Sequence, residues 1–135
     1  MCKVLIADES EVMRTAIRKT LEKENNINIV GEASTFAETR QKLVDLKPDV
    51  LLLDLYLPEK WALTPALVKA QLGTVCTLAT SLSNDTETKA LAQSYGAATL
   101  LKKITLYTDI APAIRRCQPI LQNVRWHSYH RFSFV

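Results

Sequence analysis

Short apolar runs alternate with amphipathic stretches along almost the whole chain. Lys3-Val-Leu-Ile-Ala7 is compact, apolar and stopped by two acids, the pattern of a strand buried on both faces. In the following stretch Val12, Ala16, Ile17 and Leu21 fall on one helical face. Residues 27–33 read as a second strand, and Thr35-x-x-Glu38 has the form of a capping box opening a helix with Leu43 and Val44. Lys47-Pro48-Asp49 breaks that helix ahead of Val50-Leu-Leu-Leu-Asp54, the most hydrophobic strand in the chain. Pro58 marks a loop, a helix covers residues 64–72, and Gly73 ends it. Residues 75–80 form a fourth strand, and Asn84-x-x-Glu87 offers a cap for a helix that ends near Gly96. A short strand over 98–101 and a helix over 106–121 complete the series. Strands and helices in strict alternation predict an α/β fold with a parallel sheet.

With 135 residues, 47% of them hydrophobic, the chain has material for one domain with a single sizeable core. No run approaches the roughly 18–20 apolar residues that span a bilayer. The N-terminus meets Asp8 and Glu9 after a very short apolar run, unlike a secretory signal, so a cytoplasmic location without membrane contact is expected. Cys2, Cys76 and Cys117 are far apart and make no CxxC pair, so they read as incidental thiols in a reducing compartment. The net charge of +3 is unevenly placed. Residues 1–107 balance, and the excess lies in 108–135, where Arg115, Arg116, Arg125 and Arg131 meet Asp109 alone. A balanced body argues against direct DNA binding by the domain.

Open parallel sheets place their chemistry beyond the carboxyl ends of the strands. The first predicted strand ends at Asp8 and Glu9, the third at Asp54, the fourth at Thr80 and Ser81, and the fifth at Lys102 and Lys103. Acids at strand ends also cap helices, and Asp85 and Glu87 read that way. Carboxylates gathered on one rim repel unless a cation or proton intervenes, and Mg²⁺ suits such an all-oxygen set. Asp54 on a rigid strand then has the makings of a carboxylate nucleophile. Phosphoryl transfer needs mainly positioning and charge neutralisation, which the metal, a lysine and a hydroxyl supply.

Leu5-Ile-Ala-Asp-Glu9, Lys47-Pro-Asp-Val-Leu-Leu-Leu-Asp54, Leu57-Pro58 and Gly96-Ala97 followed by Lys103 resemble the motifs of response-regulator receiver domains, in order and at family spacing. The resemblance covers about residues 2–118 and is nearest to receivers of LuxR-type transcription regulators. It implies a flavodoxin-like, three-layer fold with a five-stranded parallel sheet in order 2-1-3-4-5. It implies that the chain is a phosphoacceptor rather than an enzyme, taking a phosphoryl group on Asp54 from a histidine kinase or histidine phosphotransfer protein. Asp8, Glu9, Asp54 and the backbone carbonyl of Tyr56 would hold Mg²⁺. Ser81 matches the switch hydroxyl, with Thr80 as competitor, and Lys103 matches the family lysine, with Lys102 as competitor. A homodimer is compatible with the family.

Some positions depart from the family pattern. The aromatic switch position, three before the lysine, is Leu100, and Lys103 is followed by Ile104. Trp61 and Ala62 follow the acceptor loop where glycine is usual, and Leu82 is larger than the common alanine. An alternative is therefore a receiver-like interaction module that signals without phosphorylation. A phosphatase of the haloacid-dehalogenase type is the remaining rival, but its second Asp is replaced by Tyr56. The expected receiver domain is 1–122, and the tail 123–135 is too short for a helix-turn-helix output domain. His127 and His130 stand at helical spacing without further ligands, beside Arg125, Trp126, Tyr129, Arg131, Phe132 and Phe134.

Overall fold

The computed structural model describes residues 1–58 and 63–122. Five strands, β1 (Cys2–Ala7), β2 (Ile27–Ala33), β3 (Val50–Asp54), β4 (Cys76–Ser81) and β5 (Thr99–Lys102), pair in parallel in the order β2-β1-β3-β4-β5. The helices are α1 (Glu11–Leu21), α2 (Phe36–Leu46), α3 (Pro65–Leu72), α4 (Thr86–Ser94) and α5 (Leu106–Gln122). This is the expected flavodoxin-like, three-layer arrangement. The tail 123–135, with both histidines, lies outside the described residues, as do Trp61 and Ala62.

Alternation along the strands divides the core in two. Val4, Ile6, Val50, Leu52 and Leu78 pack with Ile17 and Leu21 of α1 and Ile110 and Ile114 of α5. Leu5, Leu51, Leu53 and Ala79 pack on the opposite face with Phe36 of α2, Val68 of α3 and Ala92 of α4. Every residue of β3 is buried, which is why its sequence shows no polar alternation. Each buried leucine contributes about 1.5–3 kcal/mol relative to exposure, so this central strand is the rigid base for Asp54.

Three expectations need correction. Val12 and Ala16 do not face the core: Val12 is 80% exposed, and the inward row is Met13, Ile17 and Leu21 at four-residue steps. At 3.6 residues per turn, Val12 lies well away from Ile17 around the helix. Val44 is likewise exposed on α2, whereas Leu43 packs against the core. Of the caps read for α4, Asp85 takes the position as expected and Asn84 does not, the Asp85 carboxylate accepting from the Thr88 backbone N–H and hydroxyl. These bonds hold the Asp85 carboxyl below its ordinary range, the Thr88 hydroxyl contributing most. The Thr35 cap of α2 forms as read, but Glu38 reaches back to Ser34 rather than to Thr35.

Nor are all three cysteines unpaired. Cys76 at the start of β4 and Cys117 near the end of α5 form a disulfide with a Cα–Cα distance of 6.3 Å. Sequence separation of 41 residues hides the pair from any spacing rule, because tertiary packing alone brings it together. Cys2 remains a free, buried thiol, and burial pushes it up to about 11.

An irregularity in β2 reorients one charged side chain. The β1–β2 register runs Val4 to Ile29 and then Leu5 to Gly31, so Val30 is the extra residue of a bulge. Ile27 and Ile29 belong with the α1–α5 core, but after the bulge the parity inverts. A Cβ on Gly31 would lie 2.8 Å from the Cδ1 end of the Leu46 side chain of α2, so any larger residue there would have to displace that side chain. Glu32 consequently faces α1, where Arg14 Nε donates to Oε1 at 2.9 Å and Arg18 Nε to Oε2 at 2.9 Å. Burial alone would raise the Glu32 carboxyl, but the bonds from Arg18 and Arg14 outweigh it and hold the group below its ordinary 4.5.

Two outcomes follow for the folded chain. Thiol labelling of the unreduced, denatured protein should modify Cys2 alone; labelling of all three would show that Cys76 and Cys117 are not joined. Glu32→Gln should cost about 1–2 kcal/mol in urea unfolding at pH 7, the strength of charged hydrogen bonds reduced for partial exposure. Because the folded Glu32 value is depressed, its stabilisation is complete above 4.5 and is lost as pH falls through the lower, folded value. The difference between wild type and variant should therefore shrink below 4.5, and a constant difference would contradict the ion-pair origin.

Candidate functional site

All five strands point the same way, so their carboxyl ends share one rim. At the end of β1 the Asp8 N–H donates to the Ala33 carbonyl at 3.0 Å, extending the ladder one residue further. Asp8 Oδ1 accepts from the Ser10 N–H at 2.8 Å. Ser10 in turn caps α1 through its hydroxyl, which accepts from the Met13 N–H. These bonds turn Asp8 Oδ2 toward the end of β3.

There Asp54 is the last residue of the strand, only 6% exposed. Its Oδ1 accepts from the Tyr56 N–H at 3.1 Å, and its carbonyl accepts from the Leu57 N–H. The remaining oxygen, Oδ2, lies 3.5 Å from Lys103 Nζ. The same ammonium is 2.9 Å from Asp8 Oδ2. That contact is an ion pair without hydrogen-bond alignment, so Asp8 Oδ2 is buried with no hydrogen-bond partner.

Lys103 reaches the acids because β5 ends at Lys102 and a 3-10 turn over Lys103–Thr105 begins immediately. Lys102 stays in the strand, paired with Ser81. Thr80 is likewise in register with Asp54, and its carbonyl accepts from the Leu55 N–H. Ser81 is the final residue of β4, buried, with its Oγ accepting from the Ser83 N–H at 3.2 Å. Asp8, Asp54 and Lys103 thus form the contacting set, and Ser81 and Thr80 stand on the adjacent strand end.

Glu9 stands apart from that set. Its side chain is exposed, and among the described residues no three His, Cys, Asp or Glu side chains are grouped closely enough to hold a metal ion. The charge balance nevertheless favours a further cation. Two carboxylates face one ammonium, and Asp8 Oδ2 has unused acceptor capacity. Carboxylate oxygens fit a hard divalent ion such as Mg²⁺. Tyr56 is 49% exposed beside Asp54.

Two residues at this rim escaped the sequence reading. Arg14 Nη1 donates to the Asp8 carbonyl at 2.7 Å and the Glu9 carbonyl at 3.2 Å, while its Nε is held by Glu32. A charged residue inside the apolar β2 segment, and arginines four apart on α1, were the available signals.

The sequence model of the response regulator receiver domain matches residues 4–115. A Ycf55-like protein of Synechocystis is 30% identical over 132 residues, 90% of this chain and 23% of that protein. The response regulator protein VraR of Staphylococcus saprophyticus is 32% identical over 116 residues, 84% of this chain and 55% of that protein. The chain therefore spans about a quarter and about half of these relatives. The signal receiver domain of a NarL response regulator from Mycobacterium tuberculosis superimposes with a TM-score of 0.77 at 27% identity, covering 87% of this chain and 96% of that one. With its sheet order, its rim of acids and lysine, and the family match over most of its length, this chain belongs to the response regulator receiver domains of two-component systems.

Proposed function

We propose that the chain accepts a phosphoryl group on Asp54 from the phosphohistidine of a histidine kinase or histidine phosphotransfer protein. The observation that carries this reading is Lys103 Nζ placed between the Asp8 and Asp54 carboxylates. A carboxylate oxygen of Asp54 attacks phosphorus, the phosphorus–nitrogen bond breaks, and the imidazole departs with that bond's electron pair. The Tyr56 N–H fixes one Asp54 oxygen and so orients the other. Lys103, already beside the carboxylate, neutralises charge on the incoming phosphoryl oxygens, and the Ser81 hydroxyl donates to one of them. The ammonium of Lys103, not that of Lys102, is the one in contact with both acids, and Ser81, the last residue of β4, is favoured over Thr80 by its match to the family's switch hydroxyl.

Asp8, Glu9, Asp54 and the Tyr56 backbone carbonyl would hold Mg²⁺, which supplies charge neutralisation at the phosphoryl oxygens when bound. No helix among the described residues is long and apolar enough to cross a membrane. That agrees with a cytoplasmic partner but does not by itself locate the protein.

A specific observation also favours a second reading for the output. Leu100 is half-buried against the α2–α3–α4 core, where the family pattern has an aromatic switch residue. A leucine has neither ring nor hydroxyl with which to follow a moving Ser81, so an interaction module indifferent to phosphorylation is the alternative.

Acetyl phosphate with Mg²⁺ should add one phosphoryl group to the wild-type chain, read by intact mass, and none to Asp54→Asn. Beryllofluoride with Mg²⁺ should shift amide resonances around Asp54, Ser81 and Lys103 in wild type only. No modification and no shift in wild type would remove the acceptor reading. Shifts confined to the rim, with none on α4 or α5, would favour the second reading of the output.

A further inference from the structure

We propose that Arg14 is a positioning residue for the acidic loop, fixing the backbone of Asp8 and Glu9 so that the Asp8 carboxylate faces the acceptor. The inference rests on the Mg²⁺-dependent acceptor reading above and adds to it a residue outside the carboxylate, hydroxyl and lysine set.

The guanidinium acts on two neighbouring carbonyls at once. Arg14 Nη1 donates to the carbonyls of Asp8 at 2.7 Å and Glu9 at 3.2 Å, the two residues between the end of β1 at Ala7 and the Ser10 cap. With those carbonyls held, the Asp8 carboxylate is turned by the Ser10 N–H so that Oδ2 faces Lys103 and Asp54. Arg14 is itself immobilised from the other side, since its Nε donates to Glu32 Oε1 at 2.9 Å. Its side chain is only 16% exposed, and its bonds to the Asp8 carbonyl and to Glu32 are partly buried.

Glu32 is available because of the bulge at Val30. Without the extra residue, Glu32 would face α2 and Arg14 would lose its partner. The bulge, Glu32 and Arg14 therefore form one line of support from the edge strand to the acidic loop. Groups that orient metal ligands without touching the metal commonly control its affinity by about 10- to 100-fold.

Arg18 provides an internal control. It also pairs with Glu32 and ties α1 to β2, but its guanidinium bonds run to Glu32 and not to the Asp8 or Glu9 carbonyls. A merely structural role for Arg14 would make the two arginines equivalent. Lysine at position 14 keeps the charge but lacks the planar fork that serves Glu32 and both carbonyls together.

The test compares the full chain with Arg14→Ala, Arg14→Lys and Arg18→Ala, first in metal-free solution and then in a Mg²⁺ titration followed by NMR. Folding of each variant is checked by its amide spectrum. In metal-free protein, Arg14→Ala and Arg14→Lys should speed hydrogen exchange at the Ser10 amide, and Arg18→Ala should not. Mg²⁺ affinity should fall by about 10- to 100-fold in both Arg14 variants and stay near wild type in Arg18→Ala. The proposal is overturned if Arg14→Lys behaves as wild type in both readouts, or if Arg18→Ala matches Arg14→Ala. Faster Ser10 exchange in a protein whose wild type takes up no Mg²⁺ would support the loop-positioning role while removing the metal reading.

Discussion

The arrangement depends on one electrostatic constraint: two buried carboxylates share a single ammonium group. Asp8 and Asp54 come together because β1 and β3 are neighbours at the centre of a parallel sheet, so both strands deliver their last side chains to the same place. Burying one such charge is expensive unless it is paired, and Lys103 compensates only part of the pair. A site built for stability alone would place an amide or an apolar side chain at one of the two positions. Keeping both acids under one lysine preserves a local deficit of positive charge, the condition under which a divalent cation would be drawn in on the proposed reading.

That constraint explains which parts of the fold were legible beforehand. Buried parallel strands must be apolar throughout, so β3 stood out as Val50-Leu-Leu-Leu before its first acid, Asp54. Polar residues at the ends of such runs have few explanations, so the acids and the Lys102–Lys103 pair could be gathered from the strand ends, the choice of Lys103 resting on the family resemblance. Amphipathic helices are less sharply determined. Val12 looked inward because it is apolar, although the helical repeat places Met13 and Ile17 on the buried row. The disulfide was illegible for a different reason: Cys76 and Cys117 are neighbours only after β4 and α5 have packed. Arg14 escaped because its targets are backbone carbonyls, which carry no residue-specific signature, and because its partner Glu32 is aimed by a one-residue bulge.

Accepting a phosphoryl group and relaying its presence make different demands on the structure. Acceptance is local and needs Asp54, Lys103 and the acidic loop to be still. Relay needs an element near the rim with two arrangements of similar energy. The packing is uneven in a way that bears on this. α5 buries Leu106, Ile110, Ala113, Ile114 and Cys117 and is tied by the disulfide to the base of β4. α4 buries only Thr88 and Ala92 within its length and is capped by the exposed loop around Asp85.

A change at Ser81 therefore meets a weakly anchored helix before it meets a strongly anchored one. Ser81 Oγ accepts from the Ser83 N–H, and Ser83 Oγ accepts from the Asp85 N–H, so a short chain of bonds joins the rim to the cap of α4. Leu100 packs on the same side of the sheet as α4, whereas Leu101 packs on the α5 side. Loss of the aromatic at Leu100 thus removes one route through β5 and leaves the Ser81–Ser83–Asp85 route intact. On the proposed reading, a relay would run through the β4–α4 loop, with the more deeply buried α5 as the fixed element beside it.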